Sequence, residues 1–185
     1  NRRMSNPKPQ IPLRRSARLR ASGSRRKTAA PTGTLEISYL DAAGSPSTPL
    51  VHQHEFHSSA AKKRVLFGGY GSGKSDSLAM EILIQSMRYP DNFGLLGRQY
   101  LSELKQTTLK SLFDLAPRGL IIDHNKSERL VTFMNGSQLH YMGVDAQDGS
   151  GLDKIKSLNL GFVAADELTE MDEQTYLALI GRLRK

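Results

Sequence analysis

Cysteine is absent from the 185 residues, which excludes disulfides and thiolate metal sites. No apolar run approaches the roughly 20 residues that span a bilayer, and the N-terminus lacks the apolar stretch of a secretory signal. A soluble, intracellular protein is expected. Acidic residues are missing from one region in particular: residues 1–30 hold ten Lys or Arg and no Asp or Glu. Removing those ten from the 26 basic residues leaves 16 against 18 acids over residues 31–185, so the body stands at −2 and the tail carries the net +8. The high positive charge therefore does not imply a basic face on the folded part.

Residues 1–33, rich in Arg, Ser, Pro and Ala without periodicity, read as a disordered basic tail. It is either a solvated leader or an arm that binds nucleic acid. The chain opens on Asn1 and stops at Arg184-Lys185 inside a helical pattern, so a piece of a longer protein is expected. Residues 34–185 read as one domain. Its size suits a single substantial core.

Within that domain a short strand is predicted at Leu35 to Leu40, then a loop. From Lys63 the pattern alternates between strand and helix. Arg64 to Gly69, RVLFGG, has the apolar, β-branched and aromatic character of a buried parallel strand. Leu78, Ile82, Leu83 and Met87 space a helix over Lys74 to Met87. A strand follows at Phe93 to Leu96, then one helix from Leu101 to Leu115. Asn135-Gly136 between Arg129–Met134 and Gln138–Val144 signals a hairpin, because both turn positions favour φ > 0. Leu158 to Ala165 reads as a third apolar strand and Glu173 to Leu183 as a closing helix. The alternation predicts an α/β fold in three layers, with a mostly parallel central sheet, a β-hairpin insertion and the Arg64–Gly69 strand at its centre; the motif GGYGSGKS at residues 68–75 makes the expected fold a P-loop NTPase fold.

Residues 68–75, GGYGSGKS, satisfy G-x-x-x-x-G-K-[ST] between an apolar segment and an amphipathic helix. The spacing has a chemical reason. Gly68, Gly71 and Gly73 let successive N–H groups turn into one concavity, with Ser72 among them. The helix N-terminus adds partial positive charge. Lys74 is placed for the β- and γ-phosphates of ATP, and the Ser75 hydroxyl for Mg²⁺. A chance match somewhere in a chain this long has odds of roughly one in a hundred, and the flanks lower that further.

The second motif is Asp166-Glu167 at the end of an apolar strand. Beside the phosphate loop, Asp166 would hold Mg²⁺ with Ser75, and Glu167 would orient the attacking water. Taken alone the pair could equally be an acidic helix start. Kinases that phosphorylate small molecules do not need the glutamate, whereas motors that hydrolyse ATP usually have it, so hydrolysis is expected. His52, His54 and His57 with Glu55 look metal-like. Only His54 and His57, at i and i+3, could share a helix face, and a catalytic zinc site wants a third ligand and an ordered second shell, so packing and exposure around the nucleotide entry are expected. Asp123-His124 reads as a solvated loop. Phe133 and Tyr141 read as packing residues rather than base-stacking ones.

Several stretches resemble the ATPase domain of the phage terminase large subunit: QHEFHSSA at 53–60, KKRVLFGGYGSGKS at 62–75, GLLGRQYLSELKQTTLKSLFDL at 94–115, and residues 142–171 with their KIKS run before the acidic pair. The similarity covers about residues 50–185. It implies a motor that hydrolyses ATP to move double-stranded DNA into a procapsid. Partners would be a homo-oligomeric ring, a portal and a small terminase subunit, in the cytoplasm of the infected host cell. It also carries an adenine contact onto Gln53, while the finger arginine stays open among Arg64, Arg98 and neither, with a structural salt bridge the alternative for each. The coupling motif and nuclease domain that follow the acidic pair in full-length members are not in this sequence, which ends first. Some members carry an Arg inside the loop where this chain offers Tyr70. Two alternatives remain: another nucleic-acid motor such as a helicase, or an inert nucleotide-binding fragment with a basic tail.

Overall fold

The computed structural model describes residues 37–144 and 155–183. The basic tail, the start of the strand expected at Leu35 and residues 145–154 of the last family-like stretch lie outside the described residues. A two-stranded ribbon, β1 (Tyr39–Leu40) with β2 (Pro46–Ser47), precedes helix α1 (Val51–Ser58) and the long helix α2 (Lys74–Arg88). Then come β3 (Phe93–Arg98), α3 (Leu101–Gln106), α4 (Thr108–Leu115), β4 (Ile121–Asn125), β5 (Leu130–Phe133) and β6 (Gln138–Gly143). Strand β7 (Phe162–Ala165), a 3₁₀ turn (Leu168–Glu170) and α5 (Glu173–Gly181) complete the order.

The main sheet runs β4-β5-β6-β3-β7. Its centre is parallel, with β3 between β6 and β7. The expected hairpin is present around Asn135-Gly136, and β4 extends it to an antiparallel meander. Alternation along β3 sends neighbouring side chains to opposite faces. Leu96 joins Leu139, Tyr141 and Phe133 under α2 and α4, while Leu95 joins Met142, Val144, Ile155, Leu160 and Leu179 on the face covered by α5. Helices on both faces make the three layers. Phe133 and Tyr141, at 0% and 1% exposure, are core residues as expected.

Four expectations need correction. Arg64–Gly69 forms no strand: Val65 is 58% and Phe67 82% exposed, and the sheet of described residues ends at β7. Apolar, β-branched composition reports only suitability for a sheet, and ladder bonds need a neighbouring strand. The single helix expected over Leu101 to Leu115 breaks at Thr107, whose ψ is −105°. The third strand is shorter than expected and starts at Phe162. Asp123-His124 lies on β4, where His124 Nε2 meets the Tyr141 hydroxyl at 2.9 Å and its ring packs on Phe113. Burial, ahead of nearby Lys126, holds that imidazole below its usual range. Among the described residues no helix is long and apolar enough to cross a membrane.

Candidate functional site

The loop 68–75 runs into helix α2 as expected, without the expected strand before it. Gly71 and Gly73 take left-handed φ values of 73° and 76°, which cost a side-chain-bearing residue roughly 1–2 kcal/mol. Gly73 ends the loop and α2 begins at Lys74. The Lys74 ammonium donates to the carbonyls of Gly68 and Gly69 at 2.8 and 2.9 Å, and the Ser72 hydroxyl donates to Gly69 O at 2.9 Å. The loop is thus curled around its own lysine, and Tyr70 projects fully into solvent.

Helix α1 braces this loop from behind. Gln53, 4% exposed, accepts from Leu50 N at 2.9 Å and donates to Gly73 O at 3.4 Å. His52 Nε2 lies 3.1 Å from Ser72 O. A second buried set sits below. His57 Nδ1 donates to Glu81 Oε2 at 2.7 Å, His57 Nε2 meets Tyr39 OH at 2.7 Å, and Arg64 pairs with the other Glu81 oxygen. Burial pushes the Glu81 carboxyl up, but bonds from His57, Gln85 and Arg64 outweigh it and hold it below 4.5. Burial raises the Tyr39 phenol. His52 and His57 are thus engaged in hydrogen bonds within the chain, and among the described residues no group of three His, Cys, Asp or Glu could hold a metal ion.

The acidic pair lies at the carboxyl edge of the parallel strands. Asp166 follows β7, and its N–H donates to Gly97 O, near the end of β3. Its Oδ2 accepts from the hydroxyls of Thr108 (2.8 Å) and Thr107 (3.3 Å) and stands 3.5 Å from Arg98. The helix break at Thr107 therefore has a role: it lets two adjacent hydroxyls reach one carboxylate. Glu167 is exposed and left-handed, with φ 48° and ψ 57°.

The lengths of α2 and β3 bear on where the loop stands relative to the acidic pair. The C-terminal end of α2 is tied to the amino ends of β3 and β6, through Asn92 to Gln85 O, Asn135 to Ser86 O and Ser137 to Tyr89 O. Fifteen helical residues rise about 22 Å and the six of β3 about 20 Å. The N-terminus of α2 therefore returns to the level where β3 and β7 end. Asp166 itself is bonded to Thr107 and Thr108 rather than to Ser75 among the described hydrogen bonds. Arg64 and Arg98 are both engaged in ion pairs within the chain. Sequence reasoning missed the threonine pair. Its signal was two β-branched hydroxyl residues in mid-helix, where propensity is poor.

Helices on both faces of a centrally parallel sheet, with a glycine loop opening the first long helix, define an α/β domain of the P-loop type. The chain belongs to the phage terminase large subunit family, whose model matches residues 60–185. The large terminase of a thermophilic bacteriophage superposes with a TM-score of 0.57 at 14% identity in one crystal form, covering 72% of this chain and 34% of that one. Another crystal form of the same terminase gives 0.56 at 17%, covering 64% and 30%. The large terminase ATPase domain of Thermus phage P74-26 gives 0.54 at 18%, covering 73% and 61%. This chain thus spans about a third of the first of these terminases. A comparison with curated protein sequences returned no match.

Proposed function

We propose that this chain is the ATP-hydrolysing part of a DNA-packaging motor, with Lys74 and Glu167 as its catalytic side chains. The reading is carried by the glycine loop, with Gly71 and Gly73 left-handed and Lys74 turned into it; a buried carboxylate where parallel strands terminate, the position at which α/β sheets bind ligands, supports it. A triphosphate entering the loop replaces the Gly68 and Gly69 carbonyls as partner of Lys74, and the amides around Gly71, Ser72 and Gly73 cradle it. The Ser75 hydroxyl and Asp166 are hard oxygen donors suited to Mg²⁺, which needs few protein ligands when phosphates supply the rest. Bonds from the threonines and Arg98 fall on Oδ2 of Asp166, which leaves Oδ1 for the ion. Bound Mg²⁺ supplies charge neutralisation of the phosphates. Glu167 accepts the proton of the attacking water. The family resemblance assigns Gln53 the adenine contact; its amide is bonded to Leu50 N and Gly73 O, which it would exchange for the base.

Family membership supports the wider setting: translocation of double-stranded DNA into a procapsid by a homo-oligomeric ring, with a portal and a small subunit, in the host cytoplasm. The basic tail over residues 1–33 then acts as a DNA-binding arm. Isothermal titration with Mg·ATP tests the core of the reading. Lys74→Ala should weaken binding by about 2–5 kcal/mol, the scale for unpairing a desolvated charge. Equal affinities would overturn it.

A further inference from the structure

We propose that His52 is a positioning residue for the phosphate loop, holding the Ser72–Gly73 peptide so that its N–H faces the bound phosphate; this rests on the reading of residues 68–75 as that loop. Ser72 stands between Gly71 and Gly73, whose φ values of 73° and 76° are both left-handed. Its carbonyl has one partner among the described residues, Nε2 of His52 on α1, at 3.1 Å. A carbonyl only accepts, so this imidazole carries its proton on Nε2. The next carbonyl is held differently. Gly73 O accepts from Ser77 N at 2.9 Å and from Ser77 Oγ at 2.8 Å, both on α2, beside the longer bond from Gln53 at 3.4 Å.

In a trans peptide the C=O and the following N–H point in opposite directions. Drawing Ser72 O toward α1 therefore aims the Gly73 N–H away from α1, and among the described residues that N–H donates to no group of the chain. It is left for an anion. The same peptide is easy to turn over, because glycine adopts φ of either sign at little cost. A flipped Ser72–Gly73 peptide presents its carbonyl oxygen where phosphate oxygens arrive, so an attraction becomes a repulsion. The Gly73–Lys74 peptide needs no such support, since Ser77 fixes its carbonyl within the first turn of α2. His52 also outlasts Gln53 as a tie. On the proposed roles Gln53 gives up Gly73 O to take the base, and His52 stays bonded to the loop.

The test compares the full chain with His52→Ala, His52→Gln and, as a control for losing a neighbouring imidazole, His54→Ala. Glutamine carries an amide Nε2 that can donate to the same carbonyl. Labelling serine carbonyls with ¹³C and glycine nitrogens with ¹⁵N singles out the Ser-Gly peptides, Ser22-Gly23, Ser72-Gly73 and Ser150-Gly151. NMR of the Ser72 carbonyl is then read beside Mg·ATP titration and steady-state hydrolysis. His52→Ala should shift that carbonyl in the nucleotide-free chain and weaken Mg·ATP binding about tenfold. It should leave kcat within about twofold, because the Gly73 amide serves bound substrate and transition state alike. His52→Gln should recover most of the shift and the affinity, and His54→Ala should move neither. An unmoved Ser72 carbonyl, wild-type affinity in His52→Ala, or a glutamine variant no better than alanine would overturn the positioning role. A wild-type chain that binds no Mg·ATP would instead sink the phosphate-loop reading, and the role of His52 toward ATP with it.

Discussion

Thr108, in the first turn of α4, donates its hydroxyl to Oδ2 of Asp166 at 2.8 Å across 58 positions of sequence. Both residues are buried. This bond couples the helix break to the carboxylate at the end of β7, so Asp166 is held in place before any ion arrives. Thr108→Val keeps the shape and removes the donor. A hydrogen bond to a charged group is worth about 1.5–3 kcal/mol, and thermal or denaturant unfolding should show a loss of that size. No change in the midpoint would mean that Asp166 finds another donor.

Neutralising the two acids should separate binding from chemistry. On the proposed roles, Asp166→Asn should weaken both Mg²⁺-dependent ATP binding and turnover, since it would remove an oxygen donor for the ion. Glu167→Gln acts on the water alone and lowers kcat by about 10²–10⁴ with ATP affinity spared. Titration and steady-state kinetics on the two variants check this. Wild-type hydrolysis by Glu167→Gln would reduce Glu167 to a turn residue.

Glu81 makes a prediction in pH. Its carboxyl is held below 4.5 in the folded chain, so the unfolded chain binds the proton more readily. Its contribution to stability is complete above about 4.5 and fades as pH falls through the lower folded value. Glu81→Gln should therefore cost about 3 kcal/mol near neutrality, since it leaves the mostly buried Arg64 unpaired. It should also flatten the acid side of the stability–pH curve. Parallel curves for the two proteins below pH 4.5 would contradict the Glu81–Arg64–His57 assignment.

Deleting residues 1–33 should leave the melting temperature and ATP affinity unchanged. Non-specific DNA affinity should fall, and its dependence on log salt should flatten by about 0.9 per lost phosphate contact. Binding isotherms at several salt concentrations measure that slope. A large drop in melting temperature would show that the tail packs against the domain.

Local signals were readable wherever chemistry is local. The loop 68–75 is contiguous, its glycines answer to backbone conformation, and its lysine follows at a fixed offset. The Asn135-Gly136 hairpin and the Lys74 helix are likewise short-range consequences of turn chemistry and apolar spacing. Contacts that join distant segments were not readable. Whether Arg64–Gly69 is a strand depends on a neighbour to share its ladder, which its own composition does not report. The partners of Asp166 come from α3, α4 and the end of β3, and only the parallel pairing of β3 with β7 brings Thr107, Thr108 and Arg98 to one carboxylate. The sequence by itself determined which side chains are proposed to meet a phosphate and a water. The tertiary structure decided which charges hold them in place, because that depends on the packing of segments more than 50 residues apart.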